Sequence, residues 1–138
     1  MTAQPSPPAD VVRRVIDLLN TGDLDAAEKL IAPDAVNHAA PPGTPPGPGA
    51  FRPAWEQVRS AFPDWTFTIE RSVTDGDLVA NRYTNRGTQT GEFAGHMAAG
   101  KSFTALGLDL VRVRDGLVAE HWALLDLASM GEQLGWDG

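Results

Sequence analysis

Two strongly alternating segments between Phe103 and Leu125 constrain the fold more than any other part of the sequence. The first places one row of residues on a single face: Phe103, Ala105, Gly107, Asp109, Val111 and Val113. The second places another row on a single face: Ala119, His121, Ala123 and Leu125. A period of two is typical of β strands with unlike faces, and the intervening Arg114-Asp115-Gly116 is a turn sequence. The sequence therefore predicts an antiparallel hairpin.

Asp109 and His121 are the polar exceptions in these two rows. A three-residue loop would pair Val113 with Leu117. It would also place Asp109 directly opposite His121, whereas a two-residue loop would place Leu110 there. We expect the first register, because it pairs two apolar residues and register follows the buried face. A carboxylate opposite an imidazole suits general acid–base catalysis, although a purely structural hydrogen bond is the alternative.

Composition narrows the classes of function. The chain has 138 residues, of which 42% are hydrophobic, and this suits one compact domain with a real core. A formal net charge of -7 disfavours nucleic acid and anionic membranes as partners. The absence of cysteine excludes disulfides and thiolate metal sites. No long apolar run or signal-like start is present, so we expect a cytoplasmic protein.

The order of elements predicts an α+β domain. Residues 1–8 read as a disordered tail, and residues 9–135 as a single domain. Helical spacing predicts a first helix ending near Gly22, a second from Asp23 to Pro33, and a third over residues 50–62. Alternating strands follow from Trp65, and a short helix over residues 126–134 closes the domain. Helices followed by antiparallel hairpins indicate a bent sheet over helices, with a cavity between them.

A proline- and glycine-rich loop covers residues 39–49, directly after a brief strand that delivers Asn37 and His38. The loop consists almost wholly of proline, glycine and alanine, and Thr44 is its only polar side chain. Because proline and glycine disrupt both kinds of element, the loop can be neither a helix nor a central strand. The loop either closes over the cavity or simply connects two elements.

The sequence lacks the motifs of the common cofactor and metal enzymes. It contains no phosphate loop, dinucleotide fingerprint, nucleophile elbow or His-Glu-x-x-His pair. Its three histidines, at positions 38, 96 and 121, do not have ligand spacing. We therefore expect no metal and no cofactor, which leaves proton transfer in a dry pocket as the enzymatic option.

Several short motifs together carry a family resemblance. They are Asn20-Thr21-Gly22-Asp23, Pro33-Asp34 with Asn37, Phe62-Pro63-Asp64, Gly87-Thr88, Thr90-Gly91-Glu92-Phe93, Gly100-Lys101, Asp115-Gly116, Glu120-His121-Trp122 and Gln133-Leu134-Gly135. In this order the chain resembles the SnoaL-like polyketide cyclases of the NTF2-like superfamily, from Val11 to Gly135. The resemblance implies a cystatin-like cone, with a strongly bent antiparallel sheet wrapped over N-terminal helices around an apolar cavity. It also implies a homodimer or homotetramer and a role in bacterial secondary metabolism, including antibiotic biosynthesis.

The resemblance extends to the catalytic positions only in part. In the aldol cyclases of this family, the acid–base aspartate lies two residues after the histidine matched by His121. That position is Ala123 here. A cavity histidine of the family matches Asp109, so the carboxylate is on the neighbouring strand. Asp126 matches another acidic position of the family, or else caps the last helix.

These observations predict a cofactor-independent tailoring enzyme with cyclase- or isomerase-type chemistry on a small, mostly apolar, polyketide-like intermediate. Asp109, His121 and Asp126 are the candidate catalytic residues. The candidate substrate-binding residues are Asn37, His38, Trp55, Trp65, Tyr83, Gln89 and Phe103. An epoxide-opening or water-adding enzyme of the same fold, or a non-catalytic small-molecule-binding protein, is the alternative.

Overall fold

The computed structural model describes residues 6–136 of the chain. Most of the predicted tail, residues 1–5, lies outside this range, and Pro8 already begins the first helix. The helices are α1 (Pro8–Thr21), α2 (Leu24–Glu28), α3 (Arg52–Ala61) and α4 (Leu127–Leu134). The strands are β1 (Ile31–Asn37), β2 (Thr66–Asp75), β3 (Leu78–Thr88), β4 (Ser102–Arg114) and β5 (Leu117–Leu125). No helix among the described residues has the length and apolar character needed to cross a bilayer.

The five strands form one curled, unclosed sheet in the order β1-β5-β4-β3-β2. The first strand runs parallel to β5, and the other neighbours are antiparallel. Helix α1 buries Val11, Val12 and Val15 in a core that includes Val79 and Val111 of the sheet. A second core joins the end of α3 to α4 and the start of β4. The predicted α+β architecture is therefore confirmed.

The second helix is shorter than the sequence predicted. It ends at Glu28, and the segment expected to be its last turn belongs instead to β1, which begins at Ile31 and contains Pro33. Proline cannot donate to a strand ladder, but β1 is an edge strand paired only with β5. Short apolar runs do not distinguish helix from strand, so tertiary pairing decided this segment.

The predicted register of the central hairpin is wrong. Asp115 and Gly116 have φ values of 53° and 77°, which form a two-residue loop of the type I′ class rather than a three-residue loop. A bulge then adds Ala119 between the pairs Val113–Val118 and Arg112–Glu120.

The bulge determines which residues meet across the ladder. It places Val111 opposite His121, and it places Asp109 opposite Ala123. Both polar residues still face the inside of the sheet, although they are diagonal rather than directly paired. Val118 is buried in the core, because the extra residue reverses the alternation of β5.

The outer face of the sheet remains partly apolar. Leu106 and Leu108 of β4 and Leu124 of β5 are exposed there. The expected homodimer or homotetramer remains a prediction.

Gly107 offers a test of packing on the inner face of β4. A Cβ atom at this position would lie 2.6 Å from Nδ2 of Asn85, a buried side chain that is hydrogen-bonded to Trp65. We predict that Gly107→Ala lowers the free energy of unfolding by about 1–3 kcal/mol, because overpacking forces a buried group to move. Chemical denaturation measures this change.

Gly49→Ala is the matched control, since a Cβ atom there would meet nothing within 4 Å. We expect this control to change stability by less than about 0.5 kcal/mol. Equal denaturation midpoints for Gly107→Ala and wild type would show that the Asn85 amide moves without cost.

Candidate active site

A cavity of about 570 Å³ lies between the inner face of the sheet, helices α1 and α3, and the loop after β1. Its walls are mainly apolar and include Val15, Leu19, Phe51, Trp55, Phe67 and Val111. Its polar lining residues are Asn37, Thr44, Arg59, Tyr83, Asn85, Asp109 and His121. Four of them, Asn37, His121, Asp109 and Tyr83, lie next to one another in a connected cluster. The volume falls in the range of about 300–1,000 Å³ typical of small-molecule sites.

Asp109 is held at the cavity wall by donors from β3. Its side chain is only 11% exposed. Asn81 Nδ2 donates to Oδ1 at 2.8 Å, and the Tyr83 hydroxyl donates to Oδ2 at 3.1 Å. Both donors come from alternate positions on one face of β3, which is why they reach the same carboxyl group.

Tyr83 is a neutral hydrogen-bond donor in this arrangement. Burial raises the pKa of its hydroxyl, and the negative charge of Asp109 and the hydrogen bond to that carboxylate raise it further. Tyr83 therefore keeps its proton throughout the physiological pH range and donates a hydrogen bond to the carboxylate of Asp109.

His121 lies between Asp109 and the edge strand. Its Nε2 is 3.4 Å from Oδ2 of Asp109, and its Nδ1 is 3.0 Å from Oδ1 of Asn37. The ring packs against Phe51, with centroids 5.7 Å apart, and the side chain is 22% exposed. One imidazole nitrogen is thus held by the protein, and the other lies near a carboxylate at the cavity wall.

The structure brings six predicted site residues together around the cavity. They are Asn37, Trp55, Trp65, Tyr83, Asp109 and His121. Trp65 is buried, and its Nε1 donates to Oδ1 of Asn85 at 3.3 Å. Phe51 was not among the predicted site residues, although it contacts the catalytic candidate His121. The structure places Phe51 directly before α3, at its N-cap, whereas the sequence predicted it inside that helix.

Gln89 and Phe103 are not among the residues that line the cavity. The buried Gln89 amide donates to the carbonyls of Gly91 and His96, and its oxygen accepts from Trp136. Phe103 is buried in the second core, edge-on to Phe62. The two residues lie where β3 and β4 have run past the cavity, so the structure does not bring them to the site, and their roles in binding stay predictions.

His38 also lies outside the cavity, and its role in substrate binding stays a prediction that this position does not support. Its ring stacks on Trp122 at 4.7 Å, and its Nε2 is 2.7 Å from Oε2 of Glu120. The hydrogen bond with His38 is the main cause of the lowered pKa of Glu120, and a weaker contribution from the hydrogen bond with Arg112 acts in the same direction. Successive strand residues face opposite sides, so Asn37 points to the cavity and His38 does not.

Asp126 does not line the cavity either, and its catalytic role stays a prediction that this position does not support. It is exposed, and its Oδ1 accepts the backbone N–H of Ser129 at 3.1 Å as the N-cap of α4. This contact corresponds to the capping alternative that the sequence left open. Among residues 6–136, no group of three or more His, Asp or Glu side chains is arranged to hold a metal ion.

Comparison with known proteins identifies relatives along almost the whole domain. Residues 9–134 match the family model described as SnoaL-like polyketide cyclase. The chain is 29% identical over 133 residues to aklanonic acid methyl ester cyclase DauD from Streptomyces sp. (strain C5), covering 94% of this chain and 83% of the relative.

Solved structures give the same result. IdmH from Streptomyces antibioticus, a candidate polyketide cyclase, is 39% identical, with a TM-score of 0.84 over 94% of this chain and 99% of IdmH. TsrD from Streptomyces laurentii is 27% identical, with a TM-score of 0.84 over 94% of this chain and 95% of TsrD. The predicted cone fold and family resemblance are therefore confirmed.

The placement of Asp126 generates a prediction. We expect Asp126→Ala to lower the free energy of unfolding by about 0.5–2 kcal/mol, because α4 loses its cap. The NMR signals of the His121 ring should not move, since the cap does not line the cavity. Chemical denaturation and histidine ring spectra measure the two effects, and a large shift of the His121 signals would contradict this placement.

Proposed function

Because this chain belongs to the SnoaL-like polyketide cyclase family, we propose that it closes a ring in a polyketide-like intermediate by acid–base chemistry at His121 and Asp109. The observation that carries this proposal is the connected cluster of Tyr83, Asp109, His121 and Asn37 on the wall of a mainly apolar cavity. Such a cavity favours a substrate that is mostly apolar, and the cluster supplies proton transfer at one position.

The proposed reaction balances without an outside oxidant or reductant. His121 removes a proton from a carbon next to a carbonyl, and the resulting enolate attacks a second carbonyl carbon. A carbon–carbon bond forms, the second carbonyl becomes an alkoxide, and the imidazolium returns the proton to that oxygen. The product is an isomer of the substrate, so the proposal requires no cofactor.

Asp109 supports the proton transfer as a fixed negative charge. Two donors, Asn81 and Tyr83, hold the carboxylate in place, and its Oδ2 lies 3.4 Å from the nitrogen of His121 that takes the proton. A carboxylate in this position stabilises the imidazolium that forms during the reaction.

The strand register supports the idea that the family's carboxylate has moved between strands. Ala123 occupies the family's acid–base position, and Asp109 is its direct partner across the ladder. Directly paired residues have Cβ atoms about 4.5–5.5 Å apart on one face of a sheet. A carboxylate on β4 can therefore reach the space beside Ala123.

The same alanine favours a second candidate function. A protein without the family's usual acid–base aspartate could retain a ligand unchanged, with Asp109 and His121 only satisfying one another. Opening of an epoxide or addition of water at the same pair is a further alternative, because either reaction uses one acid and one base.

Asp109→Asn tests the proposed chemistry. We predict a fall in turnover of at least about tenfold, within the range of roughly 10²–10⁴ that a positioned acid or base contributes. Aklanonic acid methyl ester and simpler β-keto esters serve as probes, and NMR in D₂O follows both ring closure and exchange at the activated carbon. Asp126→Asn is the control, with turnover equal to wild type.

A wild type that binds a probe but catalyses neither exchange nor ring closure would support the binding-protein alternative. Near-normal turnover by Asp109→Asn would reject a catalytic role for this carboxylate.

A double variant tests the movement of the carboxylate between strands. We predict that Asp109→Ala loses activity. Adding Ala123→Asp should make the double variant at least about tenfold more active than Asp109→Ala, which is within the contribution expected of a positioned group. The same exchange assay measures both variants. A folded double variant no more active than Asp109→Ala would show that a carboxylate on β5 cannot replace the one on β4.

A further inference from the structure

The side-chain amide of Asn37 has only one orientation that satisfies its neighbours. Its Nδ2 donates to the carbonyl oxygen of Ala50 at 2.8 Å, and its Oδ1 accepts the backbone N–H of Ala39 at 3.0 Å. Turning the amide by 180° would place two donors together at Ala39 and two acceptors together at Ala50. The backbone contacts therefore fix which atom of Asn37 faces His121.

The fixed amide determines where His121 carries its proton. Oδ1 of Asn37 lies 3.0 Å from Nδ1 of His121, and an amide oxygen can only accept. Nδ1 must therefore be the donor. A neutral imidazole has one N–H, so its Nε2 has a free lone pair, and this nitrogen is the one near Asp109.

Loss of the Asn37 acceptor would reverse this arrangement. The acceptor nearest to the other ring nitrogen is Oδ2 of Asp109, at 3.4 Å from Nε2. A neutral ring protonated on Nε2 would donate to that carboxylate and have no lone pair with which to take a substrate proton. The tautomer thus decides whether the ring can act as a base.

The backbone makes the arrangement rigid. Asn37 and His121 are register partners in the parallel pair β1–β5, and the N–H of His38 donates to the carbonyl of His121 at 2.8 Å. Groups held on paired strands are positioned more accurately than groups on loops. Three of the four hydrogen-bonding positions of the Asn37 amide are occupied by protein, which makes substrate binding a minor use of this side chain.

We propose that Asn37 is a positioning residue that holds the neutral His121 ring protonated on Nδ1, so that Nε2 is the nitrogen that accepts and returns the substrate proton. This inference rests on the proposed acid–base function. It assigns the reacting nitrogen and replaces the expected substrate-binding role of Asn37 with control of the base.

Nitrogen-15 NMR of the histidine rings tests the inference without a substrate. The wild type is measured at a pH at which the His121 ring is neutral. We expect Nδ1 to show the chemical shift of a protonated nitrogen and Nε2 the shift of an unprotonated one. In Asn37→Leu, which has no acceptor, we expect the two shifts to exchange. Asn37→Asp retains an acceptor for Nδ1 and should keep the wild-type pattern.

Asn20→Leu is the matched control for loss of a structural amide. Asn20 also makes two bonds to backbone, both with Phe67, but it does not contact His121. This control should lose stability and keep the wild-type tautomer. A neutral wild-type ring protonated on Nε2, or an unchanged tautomer in Asn37→Leu, would overturn the inference.

Kinetics with the exchange assay provides the second readout. We expect Asn37→Leu to lower kcat by about tenfold or more with little change in KM, and Asn37→Asp to recover part of the loss. Full wild-type turnover in a folded Asn37→Leu variant with the switched tautomer would overturn the positioning role. A different outcome separates the two proposals. If the wild type shows the expected tautomer but catalyses neither exchange nor ring closure of any probe, the proton assignment is confirmed and the proposed function is rejected.

Discussion

A carboxylate buried in an apolar cavity is the constraint on which the rest of this site depends. Removing an ionised group from water is costly unless donors or charges replace the lost hydration. Asp109 meets this requirement with two donors from β3, the side chains of Asn81 and Tyr83. Among the described residues, no buried side-chain nitrogen or oxygen lacks a hydrogen-bond partner. Asn81, Tyr83, His121 and Asn37 thus form one network with this carboxylate.

The same network links four strands. Asn81 and Tyr83 come from β3, Asp109 from β4, His121 from β5 and Asn37 from β1. Each residue belongs to the row of its strand that faces the inside of the sheet, so the network lies at the wall of the cavity and not on the surface. The cavity consequently combines apolar walls for a carbon-rich substrate with one position where a proton can move.

The sequence predicted the elements of this site better than their contacts. Alternation identified the inner rows of β4 and β5, because side chains on strands alternate strictly between two faces. It failed at the bulge near Ala119, because one inserted residue changes the register without leaving a clear signal in composition. Gln89 and Phe103 have the same parity as the inward-facing residues of β3 and β4, and for this reason the sequence assigned them to the cavity. Parity does not show where along a strand the cavity ends.

The sequence by itself determined the fold class, the family and the identity of the two central polar residues, since these follow from periodicity, turn residues and motif order. Only the tertiary structure decided that Asp109 pairs with Ala123, that Asn37 holds Nδ1 of His121, and that His38 and Asp126 lie elsewhere. These contacts depend on a bulge and on a parallel pairing between β1 and β5, whose residues are more than 80 positions apart in the chain. Local patterns contain no information about such a pairing, because the burial and register that select it exist only when the whole sheet is formed.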